Sequence, residues 1–111
     1  MKLTTESFGA VTVIHTPEDL NERTGAVVRE TVHSQLSQGR RSIVLDMTVT
    51  ESFDSIGLSS LLDVKDSAVE TGGDLKICGL TQTGLKIFSL TRLDHQFELF
   101  ESLIDAVKSK S

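Results

Sequence analysis

Phe53-Asp54-Ser55-Ile56-Gly57-Leu58 joins two segments of different periodicity. Upstream, Ser42-Ile43-Val44-Leu45-Asp46-Met47 is a short, β-branched apolar run that begins soon after Gly39, and it predicts a buried strand. Downstream, Leu58, Leu61, Leu62, Lys65, Ala68 and Val69 recur at helical spacing, which predicts an amphipathic helix over about 56–71 that ends at Gly72-Gly73. Leu75-Lys76-Ile77-Cys78 then reads as a second strand. Strand, helix and strand make a βαβ unit, whose crossover is right-handed and whose strands run parallel.

Ser55 therefore falls at or next to a helix N-terminus. Unpaired N–H groups and the helix dipole favour an oxygen ligand or a negative charge there. An ordinary N-cap is the simpler local reading, and a phosphorylation switch is the sharper one. Gly57 admits two explanations, close approach of a partner backbone or local geometry in a tight turn. Ser59 and Ser60 fall inside the helix and read as a small polar face.

Working outward, Val11-Thr12-Val13-Ile14 alternates as a strand, and Leu3 to Phe8 can pair with it across Gly9. Thr16-Pro17-Glu18-Asp19 has the composition of a helix start, and a later start near Thr24 is equally consistent. With either start, Val27, Val28, Thr31, Val32 and Leu36 form one helix face that Gly39 closes. Thr81 to Thr91 predicts a short helix with Leu85, Phe88 and Leu90 inward. Phe97-Glu98-Leu99 predicts an edge strand, and Glu101 to Lys108 a helix burying Leu103, Ile104 and Val107. The order ββαβαβαβα is an α/β pattern with a mixed sheet of four or five strands. In such sheets sites lie beyond the carboxyl ends of the strands, where Asp54 and Ser55 fall.

The 111 residues suit one domain over 1–111 with a real core. The formal charge of −5, with Arg40-Arg41 as the only adjacent basic pair, argues against a nucleic-acid partner. Phe8, Phe53, Phe88, Phe97 and Phe100 are the only aromatics and are scattered among aliphatic residues, as core packing requires. Cys78 is alone and reads as a buried, inert thiol. His15, His33 and His95 lack any metal-ligand spacing and read as surface or boundary residues. No apolar stretch approaches membrane-spanning length and the first residues lack a signal core, so a cytoplasmic protein without a membrane partner is expected.

Several pieces, taken in order, resemble the STAS superfamily, and within it the bacterial anti-sigma factor antagonists. They are Leu20-Asn21 followed by Thr24 and a helix, Ile43-Val44-Leu45-Asp46-Met47, Asp54-Ser55-Ile56-Gly57-Leu58, Gly72-Gly73-Asp74-Leu75, and the ending Phe97-Glu98-Leu99-Phe100-Glu101-Ser102-Leu103. Their order and spacing carry the resemblance over nearly the whole length; DSxGL alone is common. The resemblance implies a STAS domain that binds an anti-sigma factor with Ser-kinase activity and frees a sigma factor. It places phosphorylation on Ser55 and docking on Asn21, Thr24, Asp54, Ser55, Ile56, Gly57 and Leu58. A Ser phosphatase resets the modified form. No cofactor, metal or catalytic residue is implied for this chain. Three departures from the family's usual pattern stand out: Ile56 where Ser, Thr or Ala is common, Asn21 where Asp is common, and a polar Thr50-Glu51-Ser52 approach. An unmodified scaffold or ligand-binding module in another signalling complex is the alternative.

An enzyme using Ser55 as nucleophile needs a base and an oxyanion site. DSxG lacks the Gly before Ser of a nucleophile elbow, and His95 is the only His after the motif. No GxxxxGK[ST] pattern supports nucleotide binding. A non-enzymatic binding module is the expected class.

Overall fold

The computed structural model describes residues 2–109. A first hairpin joins β1 (Thr5–Phe8) to β2 (Val11–His15), in register from Thr5 opposite Ile14 to Phe8 opposite Val11. Gly9 takes φ +61° in the two-residue turn, a conformation that a side chain disfavours. β2 pairs in parallel with β4 (Ser42–Asp46), β4 with β6 (Asp74–Cys78), and β6 with β7 (Glu98–Phe100). The result is a mixed five-stranded sheet of order β1-β2-β4-β6-β7.

Helices cover both faces. α1 (Glu22–Ser37) and α2 (Ser55–Glu70) lie on one side with α3 (Gln82–Leu90), and the short α4 (Leu103–Lys108) lies on the other. On the first face Ile14, Ile43, Leu45, Leu75 and Ile77 meet Val28, Val32, Leu36, Leu61, Val64, Ala68 and Phe88. On the second, Val11, Val13, Val44 and Cys78 meet Ala106, with Phe100, Leu103 and Val107 packed at the margin. Burial on both faces is why the central strands read as continuous apolar runs and not as alternating ones. None of the helices among the described residues is long and apolar enough to cross a membrane.

Several expectations are corrected. The chain from Thr16 to Asp19 does not start a helix: α1 is capped by Asn21, so the later start holds. The buried Thr16 hydroxyl instead donates to the Asp46 carbonyl (3.1 Å) and lies 2.7 Å from the Thr50 hydroxyl, tying the exit of β2 to that of β4. A parallel ribbon of β3 (Asp19–Leu20) and β5 (Ser52–Phe53) has no counterpart in the sequence reading, since two residues per strand carry no periodicity. In α2 the inward stripe is Gly57, Ser60, Leu61, Val64 and Ala68, while Leu62 is half-buried and Val69 is 56% exposed. Val69 stands one residue, about 100° of helix, beyond Ala68. In α3, Gly84 and Phe88 face inward four residues apart, and Leu85 and Leu90 face out. In α4 Ala106 is buried, Leu103 and Val107 are half-buried, and Ile104 is exposed.

Candidate functional site

The start of α2 is built from three consecutive residues with different tasks. Asp54 adopts an extended backbone (φ −109°, ψ 174°), and its Oδ1 accepts a hydrogen bond from the Gly57 N–H at 2.7 Å. It is thus the N-cap, and the first turn of α2 itself carries no acidic residue, so its carboxylate alone caps that helix. Ser55 is the first helical residue. It is exposed, and its hydroxyl has no hydrogen-bond partner among the described residues. Ile56 follows and leaves about half its surface, 47%, in solvent.

Gly57 explains why the site has this shape. It is buried, and a Cβ there would lie 2.6 Å from the Leu20 carbonyl carbon and 3.0 Å from the Asn21 nitrogen. Real Cβ atoms do not come so close to backbone, so the position admits only glycine unless the chain shifts. The close approach comes from within the chain, in place of the partner backbone or tight turn expected from sequence. The Asp54 N–H donates to the same Leu20 carbonyl at 3.0 Å, and β3 pairs with β5 at Leu20–Phe53. These contacts pin the start of α1 against the start of α2.

That pinning brings Asn21 beside the motif but consumes its side chain. Asn21 Oδ1 accepts from the Thr24 N–H (3.0 Å), and Thr24 Oγ1 accepts from the Asn21 N–H (2.9 Å), a reciprocal capping box. Thr24 Oγ1 also donates to the Asp19 carbonyl at 2.7 Å, and Thr24 is buried. Leu58 is half-buried against the first core cluster. Of the seven residues expected at the docking face, Asp54, Ser55 and Ile56 are exposed, Asn21 and Leu58 are half-buried, and Thr24 and Gly57 are buried. Ser59 is exposed, whereas Ser60 is buried at the crossing of α1 and α2, donating to the Ile56 carbonyl and accepting from Arg29 Nη1.

Other exposed groups stand around these three. Val49 in the β4–β5 connection is 53% exposed and lines a shallow hollow of about 390 Å³ with Pro17, Glu18, Asp19, Arg23 and Thr24. Ser52 Oγ donates to Asp19 Oδ1 at 2.6 Å across the ribbon, and Glu51 is exposed. Sequence reasoning passes over Val49 because a single apolar residue between Thr48 and Thr50 has no pattern around it.

The remaining reactive side chains are engaged elsewhere. His15 lies between Glu6 (Nε2 to Oε1, 2.5 Å) and Asp46 (Nδ1 to Oδ2, 2.9 Å); His33 pairs with Ser67 (3.0 Å) and His95 with Asp94 (3.7 Å). No imidazole among the described residues is hydrogen-bonded to Ser55. Cys78 is buried, and burial, helped by the nearby Asp46 charge, pushes its thiol up from 9.0 to about 12. Among the described residues no cluster of His, Cys, Asp and Glu has the arrangement of a metal site.

Comparison with solved structures gives close matches to the fold. A Thermotoga maritima protein superposes with a TM-score of 0.86 at 21% identity, covering 96% of this chain and 92% of its own. An anti-sigma factor antagonist from Mycobacterium paratuberculosis gives 0.83 at 19% identity, over 97% and 92% of the two chains. SpoIIAA of Bacillus in its phosphorylated form gives 0.76 at 16% identity, over 98% and 99%. At such identities the likeness concerns the fold. No curated protein matches the sequence. The family model of the STAS domain, however, matches residues 2–106, so the chain belongs to the STAS-domain family.

Proposed function

We propose that the protein is an anti-sigma factor antagonist that acts in the cytoplasm as a binding module and not as an enzyme. Unmodified, it binds an anti-sigma factor with Ser-kinase activity and so frees the sigma factor for transcription. Phosphorylation at Ser55 switches the binding off, and a Ser phosphatase restores it. The observation that carries this reading is the exposed Ser55 hydroxyl, without a partner among the described residues, at the first position of α2 next to the Asp54 cap.

The physics of that position supports a switch. A phosphate adds a charge of about −1.5 to −2 and considerable bulk, enough to oppose docking by repulsion and desolvation. The N-terminal dipole and free N–H groups of α2 stabilise it within the free protein, while Asp54 opposes it with like charge. The kinase partner would bring ATP and Mg²⁺ in its own site.

The exposed Ile56 directly after the acceptor favours a second reading, a STAS scaffold or ligand-binding module that is never modified. One experiment separates the two: purified protein mixed with each kinase-type anti-sigma factor of the same genome and ATP, with the modified residue mapped by mass spectrometry. One phosphate at Ser55, absent from Ser55→Ala while binding persists, is the expected outcome. Full modification of Ser55→Ala would refute the site, and absence of binding and modification throughout would favour the scaffold.

A further inference from the structure

Val49, Ile56 and Leu85 are each about half exposed, at 53%, 47% and 50%. Each follows the carboxyl end of a strand: Val49 after β4, Ile56 after β5 and Leu85 after β6. Val49 sits on the connection leading into β5, Ile56 on the first turn of α2, and Leu85 on the first half of α3. The start of α3 is held against this region: Thr81 Oγ1 lies 3.5 Å from the Thr50 carbonyl oxygen, and a Cβ on Gly84 would lie 3.5 Å from the tip of the Phe53 ring. Leu85 also borders a hollow of about 270 Å³ lined by Leu80, Leu99, Phe100 and Glu101. Neither α3 nor the β4–β5 connection belongs to the DSxGL motif.

The charge around these side chains is one-sided. Glu18, Asp19, Glu51 and Asp54 are exposed beside them, opposed by Arg23 on α1 and Lys86 on α3. A second copy of the chain would bring carboxylates against carboxylates, and nucleic acid or an anionic membrane would do the same. A complementary partner has apolar sockets set among Arg or Lys side chains.

We propose that the docking surface extends beyond the motif to Val49 and Leu85, forming with Ile56 a three-point apolar contact in an acidic frame, and that the partner is a protein whose facing surface is apolar with a cationic rim. This rests on the proposed function, since the partner is taken to be the kinase-type anti-sigma factor. Apolar side chains that fill sockets supply most of the binding free energy, and the charged rim sets on-rate and partner choice. Ser55 lies inside this outline, so a phosphate there would meet the frame's own charge and the partner's apolar sockets together.

The test is calorimetric titration of the wild-type chain and its variants into each purified kinase-type anti-sigma factor of the same genome, at low and at high salt. Val49→Asp and Leu85→Asp are each expected to weaken binding about tenfold or more. Ile104→Asp, a still more exposed apolar site (66%) on the opposite face of the sheet, is expected to bind as wild type. Affinity should fall with added salt, and Glu51→Lys should bind more weakly than wild type. Should an Asp substitution unfold the chain, as circular dichroism would show, Val49→Ala and Leu85→Ala carry the test, with about threefold losses expected. Wild-type binding that survives substitution of both Val49 and Leu85 undiminished would overturn the extended surface and leave the Ser55 reading intact. Sedimentation showing a dimer that Leu85→Asp dissociates would assign the face to a second copy and also overturn the proposal. Failure of every kinase to bind wild type would overturn the functional reading itself, and this inference with it.

Discussion

Asp54 and Ser55 divide the start of α2 between them. The carboxylate of Asp54 satisfies the Gly57 N–H, so capping does not require the Ser55 hydroxyl. Asp54→Ala should cost about 1 kcal/mol, the usual loss for an N-cap, and Ser55→Ala should stay within about 0.5 kcal/mol of wild type, both read from denaturant unfolding. A loss above that for Ser55→Ala would mean that the hydroxyl is bonded in solution. Gly57 gives a sharper test because two effects have opposite sign. Gly to Ala inside an exposed helix gains about 1 kcal/mol, whereas forcing a methyl into packed surroundings costs about 1–3 kcal/mol. The Leu20 carbonyl carbon 2.6 Å from the added Cβ is backbone and cannot rotate away, so Gly57→Ala should be destabilising.

At the scale of elements, the ribbon of β3 and β5 is the smallest piece of secondary structure and the one that assembles the site. It holds the first turns of α1 and α2 side by side through Leu20 and Phe53. The Asn21–Thr24 box then fixes where α1 begins. Asn21→Ala removes the acceptor for the Thr24 N–H and should cost about 1 kcal/mol. Faster hydrogen exchange should appear in the first turn of α1 and also at the Asp54 amide, which donates to the neighbouring Leu20 carbonyl. Exchange confined to α1, with the Asp54 amide unchanged, would show that the starts of the two helices are not coupled.

At the scale of the whole molecule, the sheet carries a core on each face, and Cys78 lies in the second of them, under α4. Its thiol is pushed up from 9.0 to about 12, first by burial and then by Asp46. The folded state therefore keeps a proton that the unfolded state releases above pH 9.0. Stability from this group is complete below about pH 9 and is lost as pH rises toward 12. Cys78→Ala should flatten the alkaline fall in melting temperature relative to wild type. An identical alkaline slope in the two proteins would show that the thiol does not contribute. The native thiol should also resist alkylation at neutral pH until the chain unfolds.

The central βαβ unit, the hairpin across Gly9, the edge strand near Phe97 and the N-terminal placement of Ser55 are all legible in the sequence. Each rests on local patterns: β-branched runs, helical spacing, and glycines at element ends. STAS membership is legible too, because it lies in the order of those patterns. Tertiary structure decides what periodicity cannot carry. Which side of Ala68 or Phe88 faces inward depends on where the sheet lies, so Val69 and Leu85 are surface. A two-residue ribbon has no period to read. The reason for Gly57 is the carbonyl of Leu20, far earlier in the chain. Local propensity fixes what each segment is, and only packing between segments distant in sequence decides which side chains remain free to meet a partner.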